Sequence, residues 1–318
     1  TLLGLDIGGG TPTSLSEKNF SLLMQISRTA ISGLKLDDRY EPSIEGTFNT
    51  LSEQKLEDMS EMGFHRLSLG VQSSCSSVLH QHQRGYSCEA IMSSWLIKAW
   101  GKGIKKVNLD FMYGLKGQNE STIQQDLDLI GRLKPQQVTI YELRTNMILA
   151  KESFTKEELY DQYVHYYDGL LAMGYKARFG QNTFSVDAAD EGVSSYLRER
   201  MLNGAAYKGF GMSAQSMSSE GIAYNVGKLA VTPQDALNKE GYPEQFTYLL
   251  PPDELASKYI AISAYNGSFS IARLRDYGIS GGSLNEILGF CIDEGLLYKG
   301  EKDRLCITKK GFKHYGAL

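Results

Sequence analysis

The sequence is poor in cysteine and contains no long apolar run. There are four cysteines among 318 residues, too few for a disulfide scaffold and not spaced as a metal knuckle; they are Cys75, Cys88, Cys291 and Cys306. This usage favours a reducing compartment, and we expect a cytoplasmic protein. No apolar stretch approaches the roughly 20 residues that cross a bilayer, so we expect no membrane partner.

The chain also lacks a charge excess and a clear metal site. A net charge of −4 argues against nucleic acid as a partner, because phosphate binding needs a basic face. His80 and His82 would point to different sides of a helix, so we expect no shared metal ion. No signal peptide is visible at Thr1. The chain opens inside a predicted strand, and we infer that its natural N-terminus lies upstream. A hydrophobic content of 42% and a charged content of 22% are typical of a soluble globular protein.

A glycine-rich turn at residues 8–13, Gly-Gly-Gly-Thr-Pro-Thr, is the most informative stretch. The apolar run Leu2–Ile7 before it predicts a buried strand, and helical periodicity starts at about Ser14. Glycines here let backbone N–H groups approach a ligand, and a following helix start favours negative charge. The spacing is neither that of a P-loop nor that of a dinucleotide fingerprint. The turn alone is equally compatible with a plain structural connection.

Strands and helices alternate through the first half of the chain, with short connections between them. This pattern predicts a parallel sheet with helices outside it, and a barrel or part-barrel is the economical choice. In such barrels the working groups gather at the carboxyl ends of the strands. The polar residues predicted there are Gly8 to Thr11, Glu45, Gln72, Asp110, Glu142 and Arg144. Because polar groups buried in strands are costly without partners, a ligand site and a set of satisfied core polar groups are the two explanations.

Four segments follow one another in a familiar order: residues 8–13, residues 43–46 (SIEG), residues 63–72 (GFHRLSLGVQ) and residues 108–115 (NLDFMYGL). Together they resemble radical S-adenosylmethionine (SAM) enzymes of the oxygen-independent coproporphyrinogen III oxidase type. The resemblance is strong over the first half of the chain and weaker beyond it. It implies a partial parallel (βα)6 radical SAM barrel, α/β in class, that holds a [4Fe-4S] cluster and SAM. It also implies a 5′-deoxyadenosyl radical that abstracts a hydrogen atom from an organic substrate, with a tetrapyrrole as the leading class.

The resemblance implies roles for individual residues. The glycine turn, Gly8, Gly9, Gly10 and Thr11, would bind the SAM amino group through backbone atoms. Glu45 would hold a polar group of SAM, Gln72 and Asp110 the ribose hydroxyls, and Arg84 the methionine carboxylate. A carboxylate offers paired acceptors to ribose hydroxyls, and a guanidinium grips a carboxylate in a charge-assisted fork. The alternative for Arg84 is an exposed ion pair on a helix.

The sequence departs from the family at the cluster. The family ligates its cluster through Cys-x-x-x-Cys-x-x-Cys on the loop after the first barrel strand, a loop expected upstream of Thr1. None of the four cysteines present can substitute, so we expect no metal ligands in this chain and a cluster triplet before Thr1. The family has proline at the position of Lys116, and this difference weakens the resemblance little. A small-molecule substrate and a reducing protein such as flavodoxin or ferredoxin are the partners that the family implies.

The resemblance predicts three parts: a partial barrel lacking its first strand (1–175), a glycine-rich extension that covers the barrel (176–250), and a winged-helix-like C-terminal cap (251–318). For the extension, an ordinary β layer is the alternative. Heme-chaperone relatives carry His-Asn then Tyr-Trp where this chain has Ser194-Ser195-Tyr196-Leu197, which weakens that assignment. A radical SAM methyltransferase and a non-catalytic SAM- or heme-binding relative are the other functions left open.

Overall fold

The structure is a computed structural model that describes residues 1–85, 87–143, 154–190, 199–200, 204–218, 220–226, 245–264, 267–278, 281–301 and 303–313. The chain divides into two compact units, Thr1–Tyr196 and Leu197–Leu318. Each unit is considered by itself.

A six-stranded sheet forms the centre of the first unit, with strands in chain order across the sheet. The strands are β1 (Leu2–Ile7), β2 (Leu36–Thr47), β3 (Arg66–Gln72), β4 (Lys106–Tyr113), β5 (Gln137–Glu142) and β6 (Thr183–Ser185). The first five run parallel, and β6 adds antiparallel to β5. The helices are α1 (Glu17–Ile31), α2 (Glu53–Met62), α3 (Ser76–Gln81), α4 (Glu89–Gly101), α5 (Glu120–Leu133) and α6 (Lys156–Ala172). The alternating β and α elements therefore form the predicted half-barrel.

The helices cover the outer face of the sheet because apolar side chains alternate along the strands. In β4, Val107, Leu109 and Phe111 are fully buried, whereas the intervening polar residues face the concave side. From the helices, Phe20 of α1 and Met59 of α2 bury their side chains completely. The apolar face of each strand thus packs against the helices, and the polar face lines the interior of the half-barrel.

The second unit contains two small sheets and four helices among its described residues. An antiparallel sheet joins β7 (Gln215–Met217), β8 (Gly221–Asn225) and β9 (Gln245–Leu249). Another joins β10 (Ser268–Ser270), β12 (Arg304–Ile307) and β11 (Leu297–Lys299) in that order. The helices are α7 (Pro252–Ala264), α8 (Ile271–Asp276), α9 (Gly282–Asp293) and α10 (Lys309–Lys313). Leu274, Leu297 and Leu305 lie in the core between helices and hairpin, so the helix, helix, hairpin order read from the sequence is present.

The α/β half-barrel predicted from the sequence is confirmed. The division at residues 175 and 250 stays a prediction. Within the described ranges, no helix combines the length and the apolar character needed to span a membrane.

Candidate functional site at the carboxyl ends of the strands

The glycine turn packs directly against Glu45 of the neighbouring strand. The backbone N–H of Gly9 donates to Oε2 of Glu45 at 3.1 Å. A Cβ on Gly8 would lie 2.8 Å from the carboxyl carbon of Glu45, so glycine is required for this close approach. Gly9 and Thr11 have positive φ values, 111° and 77°, which turn the chain sharply between β1 and the short helical turn Pro12–Ser14. The turn is therefore shaped around the Glu45 carboxylate.

Buried hydrogen bonds hold the end of the turn in place. Thr13 is fully buried, and its hydroxyl bonds that of Thr50 at 2.6 Å. The ammonium group of Lys55, only 7% exposed, donates to the backbone carbonyls of Thr13 and Thr50 at 2.6 and 2.8 Å. A buried ammonium without a carboxylate partner needs such acceptors. These contacts hold the end of the turn against the loop that follows β2.

Asp110 lies on the concave face of β4 and is held by two neutral donors. Ser68 of β3 donates to one carboxylate oxygen at 2.9 Å and Asn108 to the other at 2.8 Å. Asn108 is positioned in turn by the hydroxyl of Thr139, which donates to its amide oxygen at 2.9 Å. Burial raises the pKa of Asp110 to about 6, although Arg66 and the two donors oppose this shift. The carboxylate is thus fixed in orientation and close to titration at neutral pH.

Gln72, at the end of β3, adopts a backbone conformation that is unusual for a residue with a side chain. Its φ is 71°, and the pairing with β4 is irregular between Gly70 and Gln72. Strain of this kind persists where surrounding contacts over-determine it, and it is common at ligand sites.

The segment that follows Gln72 is held by the fully buried carboxylate of Asp126 in α5. It accepts from the backbone N–H and the hydroxyl of Ser74 at 2.5 and 2.6 Å, and from the hydroxyl of Tyr166 at 2.5 Å. Burial raises the pKa of Asp126, and the bonds from Ser74 and Tyr166 oppose that shift. The segment after Gln72 is therefore tied to two outer helices.

Arg84 lies on the loop after α3, and contacts on both sides bring this loop to the rim. On one side, Nε2 of His82 accepts the backbone N–H of Lys116, in the loop after β4, at 2.9 Å. On the other, the hydroxyl of Ser87 donates to Asn49, in the loop after β2, at 2.8 Å. Arg84 itself is exposed and outside any helix. Within the described part of the chain it has no ion pair, so the helical ion pair considered from the sequence is not formed.

The donor and acceptor set fits a nucleoside that carries an amino acid group. Two carboxylates, Glu45 and Asp110, have acceptor capacity beyond the bonds they already receive. Among the described residues, Gly9 is the single hydrogen-bond donor to Glu45. The guanidinium of Arg84 supplies the matching cation for a carboxylate. SAM therefore fits the residues at this rim.

A [4Fe-4S] cluster does not fit the described residues. Across the ranges that the structure describes, no three His, Cys, Asp or Glu side chains come together as a metal site. Cys75 is partly exposed and Cys88 exposed, whereas Cys291 and Cys306 are buried in the other unit. No step of the chemistry below is assigned to cluster ligands of this chain.

Two expectations from the sequence need correction or fall outside the structure. We expected Glu45 to be buried at a cost; its side chain is exposed, because the rim is open where β2 ends. Glu142 is also exposed. Arg144 lies outside the described residues.

The sequence analysis did not single out the residues that support the site: Thr13, Lys55, Ser68, Asn108, Asp126 and Tyr166. Asn108 shares the face of Asp110 by the two-residue period of a strand, a signal that was present in the sequence. The bond between Asp126 and Tyr166 joins residues 40 positions apart and had no such signal.

Comparison with known proteins shows a similarity to one superfamily. Residues 4–130 match the model of the Radical SAM superfamily. Coproporphyrinogen III oxidase (HemN) from Escherichia coli, a radical SAM enzyme, has a similar fold, with a TM-score of 0.79 and 21% identity over 99% of this chain and 76% of that one. Proteins of this superfamily bind SAM and a [4Fe-4S] cluster, as the sequence led us to expect of the family.

Several similar sequences are named as heme chaperones. The heme chaperone HemW of Bacillus subtilis is 25% identical over 307 residues, 93% of this chain and 79% of its own. HemW of Buchnera aphidicola (Schizaphis graminum) is 32% identical over 220 residues, 62% of this chain and 56% of its own. The oxygen-independent coproporphyrinogen III oxidase of Escherichia coli is 30% identical over 134 residues, 42% of this chain and 28% of its own. Over residues 4–130 the chain is thus similar to the radical SAM superfamily, and its fold is similar to that of HemN.

Proposed function

We propose that this protein binds SAM at the rim formed by β1 to β4 and acts as a radical SAM enzyme of the coproporphyrinogen III oxidase type. SAM, held by the rim residues, together with a [4Fe-4S] cluster would supply the chemistry of hydrogen-atom abstraction from the substrate. The proposed substrate is an organic molecule of the tetrapyrrole class. The proposal places no cluster ligand on the described residues of this chain.

In this proposal each rim residue holds one part of SAM. Backbone atoms of Gly9, Gly10 and Thr11 hold the amino group, beside the Glu45 carboxylate that Gly8 allows to approach. Arg84 binds the carboxylate in a charge-assisted pair. Residues of the next two strands, β3 and β4, bind the ribose hydroxyls.

Gln72 and Asp110 are the proposed ribose ligands. Ionised Asp110 accepts both hydroxyls while Ser68 and Asn108 keep its oxygens oriented. The left-handed backbone of Gln72 carries its side chain at the point where β3 ends. Fixed orientation of these groups before binding reduces the entropy that binding costs.

The observation that carries the proposal is the composition of the rim. One edge of one sheet combines a glycine turn of open backbone, two carboxylates and a guanidinium without a carboxylate partner among the described residues. An exposed ion pair would contribute little to stability, so the fold does not need a partner for Arg84, and its guanidinium stays available to a ligand.

The test is an anaerobic preparation of the protein expressed from its complete gene, assayed for iron, sulfide and 5′-deoxyadenosine. About four irons per chain and release of 5′-deoxyadenosine with SAM and dithionite support the proposal. Coproporphyrinogen III is the first substrate to add, with vinyl-containing product as the readout. Absence of both iron and 5′-deoxyadenosine refutes it.

A second candidate function is heme binding without oxidase chemistry. It is favoured by the relatives that span most of this chain, which are named heme chaperones. The segment 194–197, which differs from the chaperone signature, lies outside the described residues. Stoichiometric heme binding, followed by the Soret band, together with no turnover of coproporphyrinogen III, would select this function over the first.

A further inference from the structure

We propose that Arg66 is a positioning residue for SAM: its guanidinium keeps the Asp110 carboxylate ionised, so that Asp110 accepts the ribose hydroxyls at neutral pH. The proposal rests on the proposed function for the ribose contact, but its central claim concerns two residues of this chain and can be measured without SAM.

Arg66 is a buried cation with a neutral partner. Its side chain, at the start of β3, is 7% exposed. Nε donates to the amide oxygen of Gln137 at 2.7 Å, and the Gln137 amide nitrogen donates in turn to Asp190. No carboxylate within the described residues forms an ion pair with Arg66. A buried guanidinium is costly unless charges nearby compensate it, so its compensation must come from groups beyond direct contact.

Lys106, the half-buried cation beside Arg66 in the register of β3 and β4, is already paired. It contacts Glu41 at 2.9 Å and Asp190 at 2.7 Å. Asp190 also accepts from Gln137, the neutral partner of Arg66. Among the described residues, Arg66 itself forms no ion pair with either carboxylate.

The charged and titratable groups around Asp110 come from three neighbouring strands. Glu45 lies on β2, Arg66 on β3 and Tyr141 on β5, while Asp110 itself lies on β4 opposite Gly70. Gln137, the partner of Arg66, lies opposite Asn108 in the register of β4 and β5, and Asn108 donates to Asp110. The guanidinium and the carboxylate therefore share one face of the sheet, where the charges of Arg66 and Glu45 act on Asp110 in opposite directions.

Arg66 is the main influence that opposes the burial of Asp110. Burial raises the pKa of Asp110 to about 6, Arg66 lowers it, and Glu45 raises it further. Without the guanidinium we expect the pKa of Asp110 to rise further, so that a larger fraction of the carboxyl is protonated at pH 7 than in the wild type. A protonated carboxyl has lost acceptor capacity and carries a proton of its own, so it is a poorer partner for two hydroxyl donors.

The first measurement is the pKa of Asp110 in the protein without ligand. Aspartate carboxyl carbons labelled with ¹³C are titrated by NMR, and the Asp110 signal is assigned by its absence in Asp110→Asn. Arg66→Met keeps the length of the side chain, and such apolar replacements of buried charges are often tolerated. We expect an upward shift of about one pH unit in this variant, and the same in Arg66→Gln. Arg66→Lys, which retains the charge, is expected to restore most of the wild-type value.

The second measurement is the pH profile of binding, with SAM and adenosine as probes. Wild-type affinity is expected to fall below about pH 6, and the midpoint in Arg66→Met to move upward with the pKa, with wild-type affinity at pH 9. Arg132→Gln removes one positive charge from the exposed surface of α5, where Arg132 pairs with Glu89, and controls for net charge. Its midpoint should not move.

The outcomes separate the two proposals. An unchanged pKa of Asp110 in both neutral Arg66 variants overturns the role of Arg66, whether or not SAM binds. Equal loss of affinity at every pH indicates a structural role and also overturns it. A shifted pKa with no binding of SAM or adenosine to the wild type at any pH supports the electrostatic link and refutes the proposed function instead.

Discussion

Asp110→Asn should make the first unit more stable while it impairs the site. The carboxylate of Asp110 is held by Ser68 and Asn108 but pays a desolvation cost, which is why its pKa is raised to about 6. Asparagine can retain both contacts: its oxygen accepts from Asn108, and its amide nitrogen donates to the Ser68 hydroxyl. The substitution therefore removes a buried charge, which outweighs the loss of the acceptor that the Ser68 hydroxyl has in the wild type.

The magnitude follows from the difference between the folded and unfolded pKa values. A rise from 3.8 to about 6 is about 2.2 units, and at 1.36 kcal/mol per unit this is about 3 kcal/mol at pH 7. Because the carboxyl is partly exposed, we expect about 1–3 kcal/mol. The folded-state pKa lies above the unfolded value, so the ionised group destabilises the fold above about pH 6. That cost disappears as the pH falls to about 4, and the advantage of asparagine disappears with it.

Tryptophan fluorescence gives a direct assay. The chain has two tryptophans, Trp95 and Trp100, and both lie in α4 of the first unit. Urea unfolding of wild type and Asp110→Asn at pH 8, 7, 6, 5 and 4 measures the difference in free energy of unfolding. A positive difference that shrinks toward acid pH supports the reasoning. A less stable variant at pH 8, or a difference independent of pH, refutes it.

Three further substitutions test the supports of the rim. Asp126→Ala leaves four buried donor groups without their acceptor and should lower the free energy of unfolding by about 3 kcal/mol, measured by urea unfolding; a loss below 1 kcal/mol would contradict the network. Lys55→Met removes two bonds to backbone carbonyls and should cost about 2 kcal/mol in the same assay, whereas an unchanged midpoint would show that the turn is held otherwise. Gly8→Ala should displace the Glu45 carboxylate and weaken SAM binding in calorimetry, with little change in melting temperature. Gly10→Ala, whose Cβ meets no atom within 4 Å, is the matched control for stability. Equal SAM affinity in wild type and Gly8→Ala would contradict the packing of Gly8 against Glu45.

Apolar periodicity located the elements of the half-barrel well. The strand predicted over Leu2–Ile7 is β1, and the helical periodicity predicted from about Ser14 is α1, which begins at Glu17, because a strand and an amphipathic helix each have a distinct spacing. The strand Thr183–Ser185 was not predicted as part of the sheet. Three residues are too short for a periodic signal, and its place beside β5 depends on tertiary pairing.

The environment of each rim residue was harder to derive than its position. Glu45 and Asp110 both follow apolar runs, yet one is exposed and the other is partly buried among donors. The loop that carries Arg84 is placed by contacts from His82 and Ser87 to loops 34 and 38 residues away along the chain. Such contacts depend on where distant loops meet, which local sequence does not encode.

The central claim is that the rim of this half-barrel binds SAM, and calorimetric titration of SAM into the protein tests it most directly. The account predicts saturable binding of one SAM per chain, strongly weakened in Asp110→Ala and unchanged in Arg132→Gln. No saturable binding to a folded wild-type protein, or the same affinity in wild type and Asp110→Ala, would contradict it.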